Sequence, residues 1–244
     1  MVIPDALLRA TVALSLVRRW PAFAALVLLG HSAMLHPTEF LTASRRDLVL
    51  PCDAMHATGD AYLYIEAPKT RRFARRQHGR VSDPDVVAFL QATFGHLPYS
   101  AQLSQYTPAS FRSRWNAVLH RLGVPHTEAS NGPTPGVLRG SGATHFYTQT
   151  EDIPRICWRG RWSRLSTVER YLQEVSAKFL LNRLPSDVRQ RTAVFHNAAD
   201  ALLYTFITAA SSPASVVLHG SEYTVGAVGV MGDIDDLDLE ATYL

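Results

Sequence analysis

Apolar side chains along this chain recur mostly three and four positions apart, which predicts helices over much of its length. The first such segment covers residues 5–19, and Pro21 opens a second, almost wholly apolar one that runs to about Ala33. Because proline is tolerated in the first turn of a helix, Pro37 marks the start of a third. Further helices are predicted at residues 83–94, 109–123, 138–149, 151–158, 166–181 and 186–210.

Short strand-like segments interrupt the helices. "DLVLP" (47–51) and "AYLYIEA" (61–67) predict two strands, and "RRFARRQHGRVSD" (71–83) returns as a third after a turn at "PKT". A further strand is predicted in "ASVVLHG" (214–220). The predicted fold class is therefore mainly α with a small antiparallel β-sheet, an α+β arrangement.

Length and composition fit one globular domain with a tail, or two small domains, because 244 residues with 47% hydrophobic content can bury a core. The net charge of +3 says little about partners, but its distribution says more. Six cations and no acid lie between Lys69 and Arg80, whereas the C-terminal tail is acidic. Only Lys69 and Lys178 are lysines, and a lysine, unlike an arginine, can release a proton near neutral pH.

Several classes of protein are disfavoured. Two cysteines, Cys52 and Cys157, are too few for a disulfide framework, and we expect two reduced core thiols. The apolar run that starts at Trp20 is short for a membrane span, which predicts a buried helix, no membrane partner and no secretory signal. The ten scattered histidines show no metal-ligand spacing, so no metal site is expected.

Four segments carry residues suited to the chemistry of a phosphodiester, which needs fixed cationic donors, a nucleophile and a proton donor for the departing oxygen. They are "MLHPTEFL" (34–41), "PKTRR" (68–72), "LRGSGATHF" (138–146), and "RGRWSR" followed by "RYLQE" (159–174). In this order and spacing, from about Ala25 to Glu174, they resemble the catalytic domain of the tyrosine recombinases, or phage integrases. The amino-acid sequences of these segments are most similar to the forms found in eukaryotic mobile elements.

The resemblance implies a role for each matched residue. Tyr171 would attack phosphorus to leave a 3′-phosphotyrosyl bond, Arg139 would bind a non-bridging oxygen, and Lys69 would protonate the 5′-oxygen. Trp162 would donate its ring N–H to the phosphate, and Glu39 matches the acid that follows the family's first arginine by three residues. Duplex DNA would be contacted through the basic residues Arg71, Arg72, Arg75, Arg76 and Arg161.

Two positions depart from the pattern of the family. His36 stands where the first catalytic arginine belongs, and Gly136 stands where a histidine belongs. A histidine offers one donor in place of the arginine fork, and loss of one such donor commonly costs about 10²–10³ in rate. We therefore expect His36 to serve in the catalytic set with impaired cleavage. The motifs also begin too early for the family's N-terminal clamp domain to be present.

The resemblance implies DNA strand breakage and rejoining in recombination or integration, with no metal or small-molecule cofactor and a homo-oligomer possible on the DNA. It assigns the catalytic domain to residues 1–181 and a partly helical, then acidic, extension to residues 182–244. The location would be nuclear in a eukaryote and otherwise cytoplasmic. Two alternatives stay open: a non-catalytic DNA-binding remnant of a mobile element, and an activity like that of type IB topoisomerases.

Overall fold

The computed structural model describes residues 1–55, 59–66, 78–126 and 132–211, together with two strands at 214–218 and 221–225. The helices are α1 (Asp5–Val17), α2 (Pro21–Ser32), α3 (Pro37–Leu41), α4 (Pro84–Phe94), α5 (Pro108–Leu122), α6 (Val137–Thr150), α7 (Ile153–Gly160), α8 (Leu165–Glu169), α9 (Glu174–Arg183) and α10 (Ser186–Ser211). The strands are β1 (Leu48–Val49), β2 (Ala61–Tyr64), β3 (His78–Val81), β4 (Ala214–Leu218) and β5 (Ser221–Val225). The prediction of a mainly helical fold with a small antiparallel sheet is confirmed.

Helix α2 is the centre of the core. Phe23, Leu26 and Leu29 are completely buried, which confirms the prediction of a buried helix for the apolar run. Helix α6 crosses it very closely, since a Cβ atom on Gly142 would lie 2.0 Å from the carbonyl oxygen of His31. Only glycine permits this approach, and it brings the segment "RGSGAT" against the end of α2.

The other helices behave as their apolar patterns predict. The inward face of α5 is buried at each of its predicted positions, Phe111, Trp115, Val118, Leu119 and Leu122. Helix α4 begins where expected, because the Asp83 side chain accepts hydrogen bonds from the backbone N–H groups of Asp85 and Val86.

The strands β1, β2 and β3 form an antiparallel sheet in chain order. Leu63 of β2 is fully buried and pairs with Leu48 and Gly79, whereas the neighbouring Tyr64 is exposed. A Cβ atom on Gly79 would lie 2.8 Å from that of Ala33, so β3 lies directly on the residues after α2. Residues 67–77, which connect β2 to β3, lie outside the described part of the chain.

Helix α10 packs along α1 and also contacts α4 and α5. Its Val188 and Leu203 are buried in the same hydrophobic cluster as the residues of α1 and α2, and so is Leu184 just before it. The first helical part of the predicted C-terminal extension is therefore packed into the same body as residues 1–181.

Two predictions about local structure are wrong. The single helix expected at 166–181 is broken into α8 and α9, with Tyr171 in the turn between them. Helix α6 stabilises this break: the Thr144 hydroxyl donates to the Tyr171 carbonyl (2.7 Å) and accepts from the Gln173 N–H (3.2 Å). Cys52 is exposed rather than in the core. Strand β5, which pairs with β4, lies in a segment for which we made no prediction from sequence.

The described helices include none whose length and hydropathy would suit a membrane span.

Candidate functional site

Arg139 is the buried cation around which the candidate site is built. It lies in the first turns of α6, where 6% of the residue is exposed. Its Nη1 donates to the carbonyl of Met34 (3.1 Å) and its Nη2 to the carbonyl of Gly160 (2.7 Å). The side chain thereby links α6 to the ends of α2 and α7, and its position is fixed by main-chain groups.

Trp162 covers this arginine from the turn after α7. The guanidinium carbon of Arg139 lies 4.7 Å from the centre of the indole ring, which is a cation–π distance. A Cβ atom on Gly160 would lie 1.8 Å from Cζ3 of Trp162, so the ring rests against the glycine itself. The chain reverses between them because Arg161 has a left-handed backbone (φ 61°). The glycine in "RGRW" is therefore required for the position of the indole.

Tyr171 lies next to the indole in the turn that follows α8. The two ring centres are 5.0 Å apart with their planes inclined by 35°. Its ring also rests on α6, because a Cβ atom on Gly140 would be 3.1 Å from Cδ1 of Tyr171. Arg139, Trp162 and Tyr171 thus meet at one place, although each comes from a different element.

Glu39 joins a second arginine to this cluster. Its Oε2 accepts from Nη2 of Arg161 (2.7 Å) and from the N–H of His36 (2.8 Å), and it lies 3.7 Å from Nη1 of Arg139. Only 3% of the Arg161 side chain is exposed. Arg161, which we predicted to contact DNA, therefore forms a buried ion pair in this structure.

The two residues that depart from the family pattern lie at helix starts. His36 precedes α3, where its N–H binds Glu39, and Gly136 precedes α6. A Cβ atom on Gly136 would have only Thr134 Oγ1 nearby, at 3.5 Å. Neither position supplies a further guanidinium to the cluster.

Burial, together with the neighbouring charge of Arg161, lowers the pKa of Arg139 to about 10, while Glu39 and Tyr171 oppose the shift. A guanidinium with this pKa is still protonated at pH 7. Its Nε is buried and has no hydrogen-bond partner within the described residues. The site therefore contains a fixed positive charge beside the phenol of Tyr171. One N–H donor of that charge, Nε of Arg139, makes no hydrogen bond to a described residue.

The predicted proton donor and four of the five residues predicted to contact DNA are not among the described residues. Lys69, Arg71, Arg72, Arg75 and Arg76 all lie in residues 67–77, outside the described part of the chain. Among the residues that are described, no three histidine, cysteine or acidic side chains are grouped so as to hold a metal ion.

Sequence reasoning missed the residues that position the site. The carbonyls of Met34 and Gly160, the hydroxyl of Thr144 and the bare Cα of Gly140 each hold one member of the cluster. The glycine-rich segments "RGSG" and "RGRW" were the available signal, because glycine permits close approach. The contacts of Arg139 with main-chain carbonyls cannot be recognised from the sequence, because every residue has a carbonyl.

Comparisons with known proteins give no family for the chain: no family model and no curated protein matches it.

Proposed function

We propose that this protein breaks and rejoins DNA strands through a covalent bond between Tyr171 and a 3′-phosphate. The Tyr171 hydroxyl releases its proton to solvent as its oxygen bonds to phosphorus, the bond from phosphorus to the 5′-oxygen breaks, and Lys69 gives the departing oxygen a proton. Attack by a 5′-hydroxyl on the phosphotyrosine then reverses these steps and restores both the strand and the phenol. Cleavage and rejoining by these steps require neither a metal nor an oxidant.

The observation that carries the proposal is the contact chain from Arg139 through Trp162 to Tyr171. These residues are 23 and 9 positions apart in sequence, and their groups lie 4.7 and 5.0 Å apart in space. A phosphodiester beside the phenol would be anionic, and its transition state would carry more charge on its free oxygens. Buried cations stabilise such charge strongly because little water screens them.

The test uses duplex DNA with randomised flanks in which sulfur replaces the bridging 5′-oxygen at a single position. A thiolate departs without needing a proton and re-attacks phosphorus poorly, so the covalent intermediate accumulates. We expect a protein–DNA adduct on a denaturing gel from the unmodified protein and none from Tyr171→Phe. Tyr204→Phe, which alters a tyrosine that is 72% exposed on α10, serves as the control and should leave the adduct intact.

The same substrates test Lys69 separately. If Lys69 is the proton donor, Lys69→Ala should prevent adduct formation on ordinary DNA and leave it nearly unchanged on the sulfur-containing DNA. Equal loss on both substrates would assign Lys69 to DNA binding, and equal activity on both would remove it from the site.

A second candidate function is DNA binding without cleavage. It is favoured because the two buried arginines already have partners within the protein. Arg139 donates to two carbonyls, and Arg161 is paired with Glu39. Under this alternative no adduct forms on either substrate. Binding then survives Tyr171→Phe and is lost when the arginines at 71, 72, 75 and 76 are replaced by alanine.

A further inference from the structure

A cavity of about 330 Å³ lies between α1, α2, α6, α10, Arg159 of α7 and the start of α4. This volume is within the range of sites that bind small organic molecules, about 300–1,000 Å³. Arg139, Trp162 and Tyr171 do not line it. The cavity is therefore distinct from the candidate site, although α6, α7 and Met34 contribute to both.

The lining of the cavity combines an apolar wall with a surplus of acid. Leu8, Leu28, Phe146 and Leu203 are among its apolar residues. Its charged residues are the acids Asp5, Asp83, Asp85 and Asp200 and the bases Arg9 and Arg159. Arg9 is paired with Asp200. Four carboxylates against two guanidinium groups leave two negative charges in excess, which favours a cationic ligand.

His31 is the polar side chain buried in the wall of this cavity. It is 5% exposed, and its ring packs against that of His145, with the two ring centres 5.5 Å apart. Burial and, to a lesser extent, the nearby His145 lower the pKa of His31 to about 3. The imidazole is therefore neutral at pH 7, and a neutral imidazole presents one nitrogen as a hydrogen-bond acceptor.

Asp5 lies near the same place. Its Oδ1 is 3.8 Å from Nδ1 of His145, and 44% of its side chain is exposed. Arg9, one turn further along α1, interacts with Asp5 electrostatically but forms its ion pair with Asp200. A carboxylate and a neutral imidazole acceptor thus border one end of a cavity whose wall is aliphatic and aromatic.

We propose that this cavity binds a small organic cation with an aliphatic body, a primary amine in chemical class. The ammonium group supplies donors for the carboxylates and for the imidazole of His31, and the aliphatic body is removed from water against the apolar wall. This site does not depend on the proposed DNA chemistry, because Arg139, Trp162 and Tyr171 do not line it.

The test is isothermal titration of the purified protein with n-hexylamine, n-hexanol and hexanoate at pH 7. Hexylamine is charged at this pH, hexanol has the same apolar body without charge, and hexanoate carries the opposite charge. We expect saturable binding of hexylamine at least about tenfold tighter than that of hexanol, and none of hexanoate. Equal binding of hexylamine and hexanol, or no binding of hexylamine, would overturn the proposal.

A matched pair of variants locates the binding. Asp5 and Asp187 each lie in the first turn of a helix, so their replacement by asparagine removes the same favourable charge–dipole contact. Only Asp5 lines the cavity. Asp5→Asn should weaken hexylamine about tenfold, and Asp187→Asn should leave its affinity unchanged. An equal effect of the two substitutions would show non-specific attraction and refute the site.

Discussion

At the scale of single residues, Gly160 determines where the indole of Trp162 lies. Gly160→Ala would drive the new methyl group into the ring, so we expect loss of about 1–3 kcal/mol in the free energy of unfolding, measured by urea titration. Gly136→Ala is the control, because its Cβ meets only Thr134 Oγ1 at 3.5 Å. It should change stability by less than about 0.5 kcal/mol. Equal effects of the two substitutions would disprove the close packing.

His31 gives a prediction about pH. Its folded-state pKa, about 3, lies below its ordinary value of 6.5. Between these values the unfolded chain binds a proton that the folded chain does not, so stability falls as the pH drops below about 6.5. The contribution approaches about 1.4 kcal/mol per pH unit.

Urea titrations of the unmodified protein and His31→Gln across pH 4.5–8 isolate this contribution, because the other groups are common to both. The difference between the two unfolding free energies should be constant at pH 7–8 and should change with the stated slope below about pH 6. A difference that stays constant over the whole range would show that His31 titrates normally in the folded protein.

At the scale of elements, α10 offers two valines with different surroundings. Val188 is 5% exposed within the core, and Val194 is 62% exposed on the same helix. Val188→Ala should cost about 1.5–3 kcal/mol of unfolding free energy in urea titration, since it removes buried methyl groups. Val194→Ala should be neutral or slightly stabilising, because alanine is the better helix former. Equal costs would mean that α10 does not pack as described.

Most helices could be predicted because apolar period and capping residues are local signals. Asp83 starts α4 as expected, and the apolar face of α5 is buried as expected. The break between α8 and α9 could not be predicted, because residues 166–181 contain neither proline nor glycine. What stabilises that break is Thr144, on another helix, and a hydrogen bond between distant residues leaves no mark in the local pattern.

At the scale of the whole molecule, sequence indicated which residue types matter but not how they pair. It singled out Arg139, Trp162 and Tyr171, and these side chains do lie together. It did not indicate that Arg161 would be buried against Glu39, because the left-handed turn that directs it inward is not a property of arginine. The cavity around His31 likewise could not be predicted, since five helices and the start of α4 contribute to it.

The distribution of charge over the chain predicts how DNA binding depends on salt. Each phosphate contact released by salt contributes about 0.9 to the slope of log affinity against log salt concentration. Replacing Arg71, Arg72, Arg75 and Arg76 by alanine should therefore reduce the slope by about 3–4, measured by fluorescence anisotropy on a duplex between 50 and 200 mM salt.

A control variant removes four arginines that are exposed elsewhere, Arg121, Arg183, Arg189 and Arg191. It lowers the net charge equally and should leave the slope close to that of the unmodified protein. The same reduction in both variants would show that bulk charge, rather than the segment before β3, binds the duplex.

The most direct test of the central claim is to identify by mass spectrometry the residue that carries DNA after reaction with the sulfur-containing duplex. Trypsin cuts after Arg170 and Lys178, so Tyr171 begins an eight-residue peptide, "YLQEVSAK". After nuclease digestion, the proposed function predicts that this peptide carries a nucleotide 3′-phosphate on its tyrosine. A nucleotide found on any other residue, or on none, would contradict it.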